Sequence, residues 1–191
     1  MKNTICLLLI SLALTAGAGC LAKDPGAAAS PSTSNPAIPT ANLPEGFKLL
    51  AVLPGENSNL NMTEYIEEFY GPEDIGQANV SVGIYKWKNE DGSYDNDDAK
   101  ITLIELSDED HAKAALSNFK SQDDYQRLLA RNLPIFGNAT VNGHGALEIK
   151  DIKGDNSIRY LYLWNAGNIA ILVEGNGDRS RSLELASASG L

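Results

Sequence analysis

The sequence IRYLYLWNAGNIAILVE, residues Ile158–Glu174, decides the fold that we expect for this chain. Residues in its first part, Ile158–Asn165, alternate between aromatic and aliphatic side chains, which is typical of a β-strand. Its second part, Asn168–Glu174, is a mostly aliphatic strand, and Ala166-Gly167 supplies the turn between the two. Strands joined by so short a connection pair in antiparallel fashion, so the sequence predicts an antiparallel sheet.

Further strands and helices are predicted on both sides of this hairpin. The other predicted strands are Phe47–Leu53, Val80–Lys88, Ala99–Leu106 and Thr140–Ile149. The predicted helices are Thr63–Tyr70, Asp108–Phe119, Asp123–Arg131 and Asp178–Ser189. The clearest of them is Asp108–Phe119, because acidic residues crowd its positive N-terminal end and an apolar stripe with helical spacing follows.

One pattern occurs twice along the chain. Tyr85-Lys86-Trp87 and Tyr162-Leu163-Trp164 each open a strand–loop–strand–helix unit with an aliphatic second strand. An old duplication would explain this similarity, and so would the shared strand propensity of these residues. Under either explanation the expected fold class is α+β, an antiparallel sheet with helices packed mainly on one face and a possible ββα pseudo-repeat.

The N-terminal sequence MKNTICLLLISLALTAGAGC, residues Met1–Cys20, predicts export from the cytoplasm. Lys2 gives a positive start, and the apolar run Ile5–Leu14 is shorter than the about 20 residues that a membrane-spanning helix needs. Small residues precede Cys20, so we expect cleavage before it and a lipid chain on its thiol. Gly17 stands where the corresponding signal of lipoproteins usually has leucine.

A tether is expected after the cysteine. Residues Leu21–Asn42 are rich in Ala, Pro, Ser and Thr and offer little to bury, which is typical of a disordered segment. The lipobox-like ending Ala18-Gly19-Cys20, this tether and a small acidic domain resemble the small surface lipoproteins of archaea and bacteria. The resemblance implies a signal peptide at residues 1–19, a lipid-anchored disordered tether at 20–42 and a single α+β domain at 43–191. It places the protein outside the cytoplasm, anchored to the cell membrane, with plain secretion as the alternative.

Charge and cysteine content exclude several classes of protein. The formal net charge is −10, which argues against nucleic-acid binding because phosphate recognition needs a basic patch. The two cysteines are Cys6 and Cys20, so the domain has no thiol for a disulfide or a cysteine metal site. The membrane, reached through the lipid on Cys20, and an unknown ligand or envelope protein are the expected partners, and no cofactor is expected.

Aromatic residues on two strands form the candidate binding face. Successive strand residues point to opposite faces of a sheet, so the tyrosine and tryptophan rings of these strands lie on the face opposite Ile84, Leu161 and Leu163. If helices cover the aliphatic face, the rings are left partly open for a sugar, a lipid tail or a protein partner. The alternative is that they pack beneath helices or beneath the segment Asn132–Gly145. The candidate residues are Tyr85, Trp87, Tyr160, Tyr162 and Trp164.

Metal and catalytic motifs are not found in the sequence. The acidic stretch Asn89–Asp98, NEDGSYDNDD, lacks the alternating ligand spacing of a calcium loop and is expected to be a solvated hairpin loop. No metal or catalytic spacing joins His111 to His144, so we predict a surface histidine and a turn histidine. No serine stands in a nucleophile motif, and we predict no catalytic residue and no metal ligand.

Three sequons mark candidate glycosylation sites at Asn61, Asn79 and Asn138. They matter only in a host that glycosylates exported proteins. Together these observations favour a non-enzymatic binding or interaction module of the cell envelope. The alternatives are an envelope hydrolase whose acidic residues converge in space and a structural component of the surface layer.

Overall fold

The computed structural model describes residues 37–191 except residues 57, 90, 95, 96 and 155. The expected signal peptide, Cys20 and most of the expected tether fall outside the described residues. The fold below is that of the unit that spans residues 34–191.

The described residues form a seven-stranded antiparallel sheet, three α-helices and one 3₁₀ helix. The strands are β1 (Phe47–Leu53), β2 (Asn79–Trp87), β3 (Ala99–Glu105), β4 (Phe136–Val141), β5 (His144–Ile152), β6 (Ile158–Ala166) and β7 (Ile169–Glu174). The α-helices are α1 (Glu109–Lys120), α2 (Asp123–Ala130) and α3 (Arg179–Ala188), and the 3₁₀ helix is Met62–Phe69. The expected α+β class is confirmed.

The strand order is β1-β2-β3-β7-β6-β5-β4. The first three strands follow one another, and α1 and α2 then carry the chain to the far edge at β4. From there β4 to β7 return strand by strand until β7 pairs with β3, all in antiparallel register. The two edge strands of the sheet are therefore β1 and β4.

Both faces of the sheet are covered. On the first face, aliphatic strand residues such as Val82, Leu163 and Leu172 pack against α1, α2 and the 3₁₀ helix through residues such as Phe69 and Phe119. On the second face, a separate cluster is covered by α3 and by residues near Ile38 and Phe47. We call these the α1 face and the α3 face. Most helices lie on the α1 face, as the alternation of aliphatic strand residues predicted.

Close packing fixes α3 against the end of β7. A Cβ atom at Gly175 would collide with the side chain of Ser182, so only glycine allows the helix to lie this near. The Ser182 hydroxyl donates to Asp178 O at 2.7 Å and accepts from the Asn176 N–H at 3.0 Å. These bonds replace the solvent contacts that the buried hydroxyl loses.

The structure differs from the sequence prediction in three places. The stretch predicted as one strand, Thr140–Ile149, belongs to two strands joined by Asn142-Gly143, whose φ angles of 49° and 88° fit a two-residue hairpin turn. The 3₁₀ helix and α1 have Asn61 and Asp108 as N-caps, so they begin at Met62 and Glu109, each one residue from the predicted first residue. The pseudo-repeat is not confirmed, because α1 and α3 pack on opposite faces.

Candidate functional site

The aromatic residues expected on a partly open face are mostly buried. Tyr85 and Tyr162 are 0% exposed, Trp164 is 1% exposed and Trp87 is 3% exposed, whereas Tyr160 is half-buried. The prediction that these rings share a face opposite the aliphatic residues is correct, but the prediction that this face is open is wrong. The reason is that α3 and the chain around Ile38 cover it.

Polar contacts hold the covering segments onto these rings. The Tyr85 hydroxyl donates to Pro39 O at 2.9 Å, and the Arg181 guanidinium lies 5.4 Å from the centre of the Trp87 ring. Burial raises the pKa of Tyr85. The indole N–H groups of Trp87 and Trp164 have no hydrogen-bond acceptor among the described residues. These aromatic residues therefore belong to the core and offer no open platform.

A concavity that combines apolar and polar side chains lies on the other face, between α1 and the β4–β5 hairpin. It has a volume of about 400 Å³. Its floor and wall include Leu116, Leu147 and Leu163, and its rim includes Lys113, Ser117, Lys120 and Asn138. We call it the α1–β5 groove. It combines apolar surface with a few polar groups, as ligand sites commonly do.

The sequence builds this groove by helical spacing and strand alternation. Lys113, Leu116 and Lys120 recur at three- and four-residue steps, so they share one side of α1. Asn138 pairs with Leu147 across β4 and β5, and both side chains therefore lie on the same face. Because α1 packs over β6 and β7, the part of the α1 face above β4 and β5 remains partly open.

The rim of the groove is cationic on an acidic chain. Lys113 and Lys120 lie two helical turns apart, roughly 10 Å along the axis. Glu109 Oε1 lies 2.8 Å from Lys113 Nζ and raises the pKa of that lysine through their hydrogen bond. Lys120 forms no ion pair with any described residue and is exposed. Positive charge at this mouth is available to an anionic group.

The groove opens beside the edge strand β4. Lys150 N donates to Ile135 O at 2.8 Å, which makes these two residues a hydrogen-bonded pair just before the strand begins. Hydrogen-bonded and non-hydrogen-bonded pairs alternate along an antiparallel ladder. The N–H and C=O groups of Phe136, Asn138 and Thr140 therefore point away from β5, and their side chains lie on the α1 face.

A second polar cluster lies at the other end of the α1 face. Arg159 Nη1 lies 3.1 Å from Glu174 Oε1, and Asp151 pairs with Arg159 across the sheet. Burial raises the pKa of Asp151, an effect that Arg159 opposes and Glu174 reinforces. Burial is also the main cause of the raised pKa of Glu68, again reinforced by Glu174. Carboxyl groups with a raised pKa are the type that general acid catalysis uses.

The α3 face holds one buried carboxylate. Glu148 is 5% exposed, and its Oε2 lies 2.7 Å from Arg179 Nε and 3.3 Å from the Tyr162 hydroxyl. That hydroxyl is also 3.1 Å from Arg179 O. Burial raises the pKa of Tyr162, and the charge of Glu148 adds to this effect. The group is fully engaged in joining α3 to the sheet.

Two lysines form ion pairs with the acidic loop Asn89–Asp98. Lys86 Nζ lies 2.7 Å from Asp98 Oδ1, and Lys153 forms an ion pair with Asp97. Asp91 accepts hydrogen bonds from the Ser93 N–H and hydroxyl, which lower its pKa. Within the described part of the chain, no group of three or more histidines, cysteines or acids is arranged to hold a metal. Glu90 and Asp95 fall outside the described residues.

The two histidines are well separated. His111 Nδ1 lies 2.7 Å from Asp108 Oδ1 and 2.9 Å from the Ser107 hydroxyl, at the N-terminal end of α1. His144 is exposed at the start of β5, directly after the hairpin turn. His111 is therefore less exposed than the predicted surface histidine, and His144 is a strand residue next to the turn.

The three sequon asparagines lie in different surroundings. Asn61 is exposed, and its side chain caps the 3₁₀ helix by accepting from Thr63 N. Asn79 is half-buried, and its amide donates to Glu105 Oε2 at 3.2 Å. Asn138 is exposed, lies in β4 and lines the α1–β5 groove.

Sequence reasoning missed the groove. The lysine–leucine–lysine stripe of α1 is visible in the sequence, but the strand that completes the groove could be found only by recognising Asn142-Gly143 as a hairpin turn.

No described helix is long and apolar enough to cross a membrane. Comparison of the chain with protein-family models, curated proteins and solved structures found no match.

Proposed function

We propose that this protein is a lipid-anchored, extracytoplasmic, non-enzymatic binding module of the cell envelope, and that its binding site is the α1–β5 groove. The observation that carries the proposal is a cationic rim, Lys113 and Lys120, around an apolar floor that includes Leu116 and Leu147. An open edge strand runs beside it. The partner is a molecule or segment that carries both acidic and apolar groups.

The chemistry of the groove supports a charged partner. The chain as a whole has a net charge of −10, so most of its surface repels anions at long range. At this concavity Lys120, together with Lys113 beside its partner Glu109, gives local attraction within the screening distance of about 8 Å at physiological salt. Apolar floor residues then contribute by burying apolar groups of the partner, at about 25 cal/mol per Å². Charge selects the partner, and burial supplies affinity.

The sequence supports the location. An export signal that ends in Ala18-Gly19-Cys20 places a thiol where lipoproteins carry their lipid, and a polar segment follows it. A lipid on Cys20 would hold the domain at the membrane while the tether lets it reach partners in the envelope. The groove and the anchor together define a tethered binding protein.

The direct test measures binding of an alternating Glu-Val octapeptide, labelled with fluorescein, to the full chain in a mild non-ionic detergent. Lys113→Glu/Lys120→Glu should weaken binding about tenfold, because two exposed charge pairs at about 0.35 kcal/mol each, doubled by charge reversal, come to about 1.4 kcal/mol. The matched control is Lys48→Glu/Lys88→Glu, which changes the net charge equally at residues outside the groove. Equal effects of the two variants, or no binding of the peptide, would contradict the proposal.

A second candidate function is an envelope hydrolase. The observation that favours it is the cluster in which Glu68 and Asp151 both have a raised pKa beside Glu174 and Arg159. In that case one protonated carboxyl would donate to a leaving group and an ionised one would activate water. Turnover of an envelope polysaccharide or peptide by the full chain, lost on Asp151→Asn, would support this function over the binding module.

A further inference from the structure

We propose that the partner is an acidic extended peptide that binds by adding an eighth strand to the sheet at β4. This inference rests on the proposed function of the α1–β5 groove and specifies the class of partner and its binding mode. Strand addition uses main-chain hydrogen bonds for affinity and alternate side chains for specificity.

The backbone of β4 is arranged for such pairing. Phe136, Asn138 and Thr140 point their N–H and C=O groups outward, and no described residue forms a hydrogen bond with the backbone groups of Asn138 or Thr140 on this side. The register with β5 is continuous from Phe136 to Val141, without a bulge. A regular edge with outward groups at alternate residues can accept a strand.

The other edge of the sheet is protected in a way that β4 is not. The register of β1 with β2 shifts between Leu49 and Ala51, a β-bulge that places Leu50 outward and breaks the regular spacing of backbone groups. β1 also carries Lys48 on this edge. Bulges and lysines are common means by which proteins block pairing at an edge strand. β4, with the sequence FGNATV, contains neither a bulge nor a charge.

The pairing geometry determines which partner side chains reach the groove. In an antiparallel pair, residues that exchange both hydrogen bonds have their side chains on the same face. Partner residues opposite Phe136, Asn138 and Thr140 therefore present their side chains on the α1 face, toward the mouth lined by Lys113 and Lys120. Acidic residues at these alternate positions bring negative charge to the cationic rim.

The charges disfavour a second copy of this chain as the added strand. Antiparallel pairing of β4 with its copy requires a two-fold axis perpendicular to the sheet, which keeps the same face of both sheets on the same side. The two grooves would then face one another across the new edge, so each lysine pair would meet the cationic groove of the other copy and no acidic partner. Two chains that each carry a net charge of −10 would also repel. A short acidic peptide places its carboxylates beside the lysines of one groove, where local attraction opposes the screened repulsion from the rest of the chain.

The test uses two N-methylated forms of the Glu-Val octapeptide with the full chain. In the parent peptide, the glutamates should lie opposite Asn138 and Thr140, so their N–H groups donate to β4 and the valine N–H groups point away. Methylating the glutamate nitrogens should therefore weaken binding about tenfold or more. Methylating the valine nitrogens is the matched control and should leave binding within about twofold of the parent.

Two variants of the protein test the same hydrogen bonds by changing β4 and leaving the peptide unchanged. Asn138→Pro removes the outward N–H without touching the ladder with β5, because prolines are tolerated where the N–H faces away from the sheet. Asn138→Ala keeps that N–H and removes only the side chain. Binding should be about tenfold weaker in the proline variant than in the alanine variant, with thermal unfolding used to show that both fold.

The outcomes separate this inference from the proposed function. If both methylated peptides bind like the parent while Lys113→Glu/Lys120→Glu still weakens binding, the groove is a binding site but strand addition is wrong. If the parent peptide does not bind, both are wrong. If the chain alone forms a dimer in analytical ultracentrifugation and that dimer does not bind the peptide, β4 is a self-interface and the peptide partner is wrong.

Discussion

Arg179 Nε lies 2.7 Å from Glu148 Oε2 and joins the first turn of α3 to a carboxylate that is otherwise buried in β5. The two partners differ in exposure, because 52% of the Arg179 side chain is accessible and only 7% of the Glu148 side chain is. The pair therefore fixes α3 over the aromatic cluster that the sequence placed on this face. Among the described residues, removal of the arginine would leave the buried charge with the Tyr162 hydroxyl as its one hydrogen-bond partner.

The first prediction concerns this ion pair. Arg179→Met should lower the free energy of unfolding by about 1–3 kcal/mol, less than for a fully buried pair because the arginine is half exposed. Glu148→Gln should cost less, because it removes the buried charge itself. Chemical denaturation of both single variants and of the double variant measures the difference. If Arg179→Met proves no more costly than Glu148→Gln, the carboxylate is not held in place by this arginine.

The second prediction concerns pH. Burial raises the pKa of Glu68 and Asp151 in the folded protein. A raised pKa means that these groups add stability below their unfolded pKa values, and that this contribution is lost as pH rises through the folded values. Glu68→Gln and Asp151→Asn should therefore be stabilising relative to wild type near neutral pH, with the difference shrinking toward pH 4.

Thermal or chemical unfolding of these variants across this pH range checks the sign of the stability difference between each variant and wild type. The two exposed acids whose pKa is lowered, Asp91 and Asp108, act in the opposite direction, so the comparison is made between variant and wild type at each pH. A difference that grows on acidification would show that burial does not dominate at these carboxyls.

The third prediction concerns the buried tryptophans. Trp164→Ala should lower the free energy of unfolding by about 3–5 kcal/mol, because a large core side chain is removed. Trp164→Phe should cost less, since it keeps most of the ring volume and removes an indole N–H that has no acceptor among the described residues. Denaturant titration followed by circular dichroism measures both. Loss of ligand binding in Trp164→Ala with unchanged stability would instead restore the open aromatic face.

The fourth prediction concerns the anchor. Cys20→Ser should move the protein from the membrane fraction to the soluble fraction of its own host. The lipid chain is expected on the cysteine sulfur, which serine lacks. Detergent phase partitioning and intact-mass measurement of the mature protein report the change. Cys6→Ser is the matched control and should leave the distribution unchanged. Identical partitioning of Cys20→Ser and wild type would show that the membrane is not reached through this residue.

Much of the fold could be predicted from local patterns. The hairpin Ile158–Glu174 and the strand at Phe47–Leu53 follow from alternation and turn residues, and both match the structure closely. The alternation of strand residues alone predicted that Tyr85 and Trp164 lie on the same face of the sheet. Their burial could not, because it depends on α3 and on residues near Ile38, which are distant in sequence and cover the rings only in the folded chain.

The candidate site was harder to predict for the same reason. Lys113 and Lys120 are ordinary surface lysines until β4 and β5 are placed beside α1. That placement depends on two features of the topology that no short stretch of sequence indicates. The segment α1–α2 carries the chain to the far edge of the sheet, and β7 pairs with β3. Recognition of Asn142-Gly143 as a hairpin turn would have revealed β4, but not which edge it occupies.

The measurement that tests the central claim most directly is residue-resolved amide hydrogen exchange of the full chain, with and without the alternating Glu-Val octapeptide. In the free protein, the outward N–H groups of Asn138 and Thr140 should exchange fast, while those of Gly137 and Ala139, which face β5, exchange slowly. Binding should slow Asn138 and Thr140 strongly and change the edge strand β1 little. Unchanged fast exchange at Asn138 and Thr140 under saturating peptide would contradict a partner bound at the α1–β5 groove through β4.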